Sequence, residues 1–153
     1  MRRPKSQTGP CFELRPGVAA DYEFTLRLYV AGMKPLLGAL DAWDETEMLA
    51  KFRYYFTPAE ITIIQVDGQD AGWMQISETA DGINLDQLHL EPAFQSNGIG
   101  TRIIRDLKRK AEAKNKPLLL SLVRGNRAVG LYERLGFKPD GSDRTKLHMR
   151  WDA

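Results

Sequence analysis

Only one cysteine, Cys11, occurs in the 153 residues, so no internal disulfide can form and the fold must do without covalent staples. A reducing compartment, the cytoplasm, is the expectation that follows. No apolar run approaches the roughly 20 residues needed to span a bilayer, and the basic start Met1-Arg2-Arg3-Pro4-Lys5 has no apolar segment behind it. Neither a membrane partner nor a leader is therefore expected. Excess charge of one sign is also lacking, with 22 basic against 20 acidic side chains and a formal net charge of +2. That balance gives no support to a nucleic-acid partner. The longest basic cluster, Lys108-Arg109-Lys110, reads as the solvated face of a helix.

An apolar fraction of 42% and a charged fraction of 27% are those of an ordinary globular chain. The length fits one domain, expected over residues 11–153 behind a flexible arm at 1–10. Cys11 to Arg15 alternates as a strand that Pro16-Gly17 ends. Residues 19–31 follow helical spacing, and Gly32, Pro35 and Gly38 are expected to interrupt it. Asp44-Glu45 open a second helical run through Met48, Leu49, Phe52, Tyr55 and Phe56. β-Branched Ile61–Val66, a turn at Asp67-Gly68, and Ala71–Ile76 read as a hairpin.

In the next strand the apolar positions are Ile83, Leu85, Leu88 and Leu90. The alternation slips by one residue between Leu85 and Leu88, as a β-bulge requires. Ile99, Ile103, Ile104, Leu107 and Ala111 mark a helix and Leu118–Val123 a buried strand. Ala128, Leu131, Tyr132 and Leu135 mark a last helix that Gly136 caps, and Lys146–Trp151 closes the chain.

The segment Glu91-Pro92-Ala93-Phe94-Gln95-Ser96-Asn97-Gly98-Ile99-Gly100-Thr101 leads from a strand straight into a helix. Glycines there leave amides uncovered at the positive end of the helix dipole, where a phosphate or pyrophosphate is stabilised. Ile103 stands where a dinucleotide fingerprint would need its third glycine, and no Gly-Lys-Ser or Gly-Lys-Thr of a P-loop follows.

Gln95-x-x-Gly98-x-Gly100 behind the Leu88-His89-Leu90 strand resembles the acetyl-CoA cradle of the GNAT acetyltransferases. Asn126-Arg127-Ala128-Val129-Gly130-Leu131-Tyr132, running on to Gly136-Phe137, looks like that family's second signature, and the likeness extends over about residues 12 to 150. It implies an α+β fold with a mixed, mostly antiparallel sheet of six to seven strands and about four helices, splayed between strands four and five. It further implies direct acetyl transfer from acetyl-CoA to a primary amine in a ternary complex, without a metal.

Under that resemblance Gln95, Ser96, Asn97, Gly98, Ile99, Gly100 and Thr101 hold the pyrophosphate. The backbone of Leu88, His89 and Leu90 pairs with the pantetheine arm, and an amide near Leu90 faces the thioester oxygen. Asn126 bonds the arm or the strand splay, and Tyr132 protonates the leaving thiolate. Tyr132 also suits a core aromatic, and alternation turns the His89 side chain away from Leu88 and Leu90. Trp43, Trp73 and Asp86 are the candidates for the acceptor side, Trp43 lying in a loop that resembles a Trp-Asp-Glu loop of some family members. The base is not identified. A small-molecule amine is the expected acceptor and a monomer or homodimer the expected assembly. A protein acetyltransferase and a non-catalytic acyl-CoA-binding module are the alternatives.

Overall fold

The computed structural model describes residues 11–153, and the arm expected at 1–10 lies outside the described residues. One sheet carries seven strands in the order β1-β2-β3-β4-β5-β7-β6. In chain order these are β1 (Phe12–Pro16), β2 (Ile61–Val66), β3 (Gln69–Glu78), β4 (Ile83–Leu90), β5 (Leu118–Val123), β6 (Lys138–Ser142) and β7 (Lys146–Trp151). The helices are α1 (Tyr22–Ala39), α2 (Glu45–Tyr55), α3 (Ile99–Ala113) and α4 (Val129–Arg134). Every strand pair is antiparallel except β4 with β5. The expected α+β architecture is borne out.

The two faces of the sheet bury separate clusters. Ile99, Ile103, Ile104, Leu107 and Ala111 of α3 pack with Ile83, Leu85, Leu118, Leu120, Tyr132 and Met149 on one face. On the other, Leu28 and Tyr29 of α1 and Phe52 of α2 cover Ile61, Ile63 and Trp73. The apolar stripe of α3 follows helical spacing, so burying it fixes the axis of the helix under the sheet and aims its first turn.

Helix α1 departs from expectation, since it runs through Gly32, Pro35 and Gly38 to Ala39. Burial of Leu28, Tyr29 and Leu37 along it outweighs the bond lost at Pro35. Gly32 has its own reason to be there, because a Cβ would stand 3.0 Å from His89 Nδ1. The second helix starts where the sequence placed it, with the Asp44 side chain accepting from Glu47 N at 3.0 Å. Lys108 is not on a solvated face. Its ammonium donates to Leu135 O at 2.7 Å and lies 4.9 Å from the Trp151 ring centre, tying α3 to the end of α4.

Candidate active site

The β4 bulge is real and sits at Asp86: Gln75 of β3 pairs with Gln87, while the next residue, Ile76, pairs with Leu85. Pairing of β4 with β5 stops at Leu85 and Leu120, so the two strands part just where the bulge bends β4. Glu91 N donates to Ala71 O at 2.8 Å, which makes Ala71 and Glu91 a hydrogen-bonded pair. By antiparallel alternation Trp73 and His89 form the next such pair, whereas Leu88 and Leu90 turn their N–H and C=O groups away from β3. They face the gap that β5 has left. Gly72 lets the strands approach there, since a Cβ on it would lie 2.4 Å from His89 O.

A cleft of about 110 Å³ fills the gap, walled by Asp86–His89 on β4 and Ser121–Val123 on β5, with Asn126 and Tyr132 behind. Asn126 holds the turn before α4, its Oδ1 accepting from Ala128 N at 2.9 Å. Among the described residues its side-chain NH2 donates to no other group, and it remains available to the cleft.

Tyr132 is 5% exposed, packed edge-on against Phe137 at 5.5 Å between ring centres. A Schellman stop fixes its backbone: Phe137 N donates to Tyr132 O at 3.0 Å and Gly136 N to Glu133 O at 3.0 Å, with Gly136 at φ 91°. Among the described residues the phenol makes no hydrogen bond. Desolvation pushes its pKa up to about 12, so it carries its proton at neutral pH.

The start of α3 supplies the cradle. Ser96 at φ 64° and Gly98 at φ 81° turn the loop, and the first helical bond runs from Arg102 N to Gly98 O at 3.1 Å. The amides of Ile99, Gly100 and Thr101 are thereby left without intrahelical partners. Open space surrounds the positions where Gly98 and Gly100 would carry a Cβ. An anion can approach these amides directly, so the residues present fit a pyrophosphate. The Gln95 side chain plays a different part, donating to Leu90 O at 2.9 Å and tying the loop to the end of β4.

The model of the acetyltransferase (GNAT) domain family matches residues 57–139, a stretch that contains the bulge, the cradle and Tyr132. The chain belongs to the GNAT acetyltransferase family. As a GNAT domain it is similar in fold to the PaiA N-acetyltransferase of Thermoplasma acidophilum, solved in complex with coenzyme A. The TM-score is 0.73 at 17% identity, with 94% of this chain and 99% of that one covered. A GCN5-related N-acetyltransferase from Rhodopseudomonas palustris gives a TM-score of 0.70 at 18% identity over 99% and 100% of the two chains. No curated protein matches the sequence.

The acceptor-side candidates part company. Asp86 is exposed at the bulge, yet surrounding atoms crowd its carboxylate. That desolvation raises its pKa, with the charge of Glu60 adding and a hydrogen bond from Ser77 opposing. Trp73 is 0% exposed beneath α2 and does not line the cleft, because the register of β3 points it into the α1 and α2 cluster. Trp43, part-buried ahead of α2, is likewise not among the cleft residues. The His89 ring stacks on Trp73 at 5.2 Å and meets Tyr29 edge-on at 5.9 Å. Burial drives its pKa down to about 4, so it stays neutral and packed. Sequence reasoning missed Ser121, Asp140, Lys146 and His148, which gather beside the split from three strands and carry no local signature.

Proposed function

We propose that this GNAT domain transfers the acetyl group of acetyl-CoA to a primary amine of a small molecule by direct attack in a ternary complex. One observation supports the reading: Leu88, Asn126 and Tyr132 line a single cleft between β4 and β5, and the free amides of Ile99–Thr101 open the helix that the chain enters after β4. The amides bind the pyrophosphate with the help of the α3 dipole. The β4 edge pairs with the amide-bearing arm as an added strand would, and Asn126 adds a donor from the β5 side.

A β4 amide of the Leu88–Leu90 edge stabilises the charge that develops on the thioester oxygen. Tyr132, held protonated by its burial, gives its proton to the leaving sulfur. Asp86, at the mouth, accepts hydrogen bonds from the acceptor's ammonium and steers it toward the split. The open cavity of about 370 Å³ that adjoins the cleft at Asp86 gives room for a small acceptor.

Thiol release from acetyl-CoA, with mass spectrometry of the amine product, tests the proposal. Acetylated amine and a matching quantity of free thiol support it, whereas acetyl-CoA binding without any acetylated amine refutes it.

A further inference from the structure

Beside the split, on the sheet face opposite α3, Asn84, Asp86, Ser121, Asp140, Lys146 and His148 line the wider cavity. Leu85, Asp86, Leu120, Ser121 and Lys146 line both this cavity and the cleft with Tyr132, so the two openings meet where β4 and β5 part. A donor lying in the cleft and an acceptor lying in the cavity would touch at that point.

Ser121 is the first β5 residue beyond the last β4 pair. It stands directly across from His148 of β7, its hydroxyl 2.6 Å from His148 Nδ1. The other ring nitrogen, Nε2, lies 3.7 Å from Asp143 Oδ2. Asp143 is itself fixed, accepting at Oδ1 from Lys146 N at 2.8 Å and Thr145 N at 3.0 Å. Those bonds, with the nearby charges of His148 and Lys146, hold its carboxyl below the usual range. Hydroxyl and imidazole are thus hydrogen-bonded with the hydroxyl at the reacting end, and the carboxylate stands by the far ring nitrogen, beyond hydrogen-bond distance.

We propose, building on the acetyltransferase reading, that Ser121 and His148 take the proton from the acceptor amine, with Asp143 as a positioning residue. The ammonium gives a proton to Ser121 Oγ as the hydroxyl's own proton passes to His148 Nδ1. The nitrogen lone pair then forms the C–N bond at the thioester carbon, the C–S bond breaks, and Tyr132 protonates the sulfur. A second N–H proton leaves as the amide forms and replaces that of Tyr132 by way of solvent. Solvent also removes the proton from His148, so one proton is released for each amide made. The ionisable groups around the ring are Asp143 in the turn, Lys146 on its own strand, Asp140 of β6 and Asp86 of β4. Arg150, on the same face of β7, is held by Asp152 at 3.0 Å.

The test measures thiol release with putrescine, lysine or phenethylamine as acceptor, together with calorimetric titration of acetyl-CoA. Ser121→Ala and His148→Ala are expected to bind acetyl-CoA as the native chain does and to lose about 10²-fold or more in kcat. Added imidazole should restore His148→Ala by about tenfold, and Asp143→Ala should lower kcat at unchanged KM, with Asp143→Glu recovering it. Native kcat in His148→Ala, or a loss that imidazole leaves unchanged, overturns the relay and leaves the acetyltransferase reading standing. A native chain that fails to bind acetyl-CoA, or that binds it and acetylates none of the three amines, overturns both.

Discussion

Tyr132 loses the water around its ring without gaining a charged partner, which is why its pKa rises rather than falls. The same burial makes Tyr132→Phe a clean substitution, since the edge-on contact with Phe137 needs only the ring. Acetyl-CoA affinity should stay within about twofold in that variant while kcat drops roughly 10²-fold, read by titration and thiol release. His89 shows burial acting on a base. Its folded pKa of about 4 lies below the ordinary value of about 6.5, so the unfolded chain binds the proton more tightly between those limits. Its stabilising share is complete above about pH 6.5, falls as pH drops toward 4 and levels off below. Urea unfolding at pH 7 and pH 4 should show the native chain losing on the order of 2–3 kcal/mol more than His89→Leu across that interval.

Among the elements, β4 was the most legible. The phase slip between Leu85 and Leu88 marks the bulge because alternation has a period of two and one extra residue reverses it. The start of α3 was legible for a similar reason, since bare amides require Gly98 and Gly100 and residue type alone records that need. Helix α1 was not legible through Pro35, because local signals weigh the lost bond and cannot weigh burial of Leu37 against it. The closeness of β3 and β4 at Gly72 yields an element-scale prediction: Gly72→Ala should destabilise by about 1–3 kcal/mol, since its Cβ meets backbone rather than a movable side chain. Thermal unfolding would show it, and an unchanged midpoint would mean that the strands can separate there without cost.

At the scale of the whole molecule, the candidate site is a fault in an otherwise continuous sheet, and the order β4-β5-β7-β6 decides what gathers around it. The glycine cradle and the Asn126 to Tyr132 segment are each continuous in the chain, which is why they could be read before folding. The wider cavity draws on β5, β6 and β7 at once, and only strand register brings Ser121 across from His148. Trp73 failed as an acceptor-side candidate for the same cause, because the face a strand residue takes is set by its neighbours.

Calorimetric titration of the native chain and of Gly100→Glu decides whether the fault receives acetyl-CoA through the first turn of α3. Gly100 is helical with open space around it, so the variant should keep the native unfolding temperature while setting a carboxylate among the free amides. Binding by the native chain and a loss of about 100-fold or more in a folded variant are expected. Equal binding by both, or none by the native chain, would contradict binding through that turn.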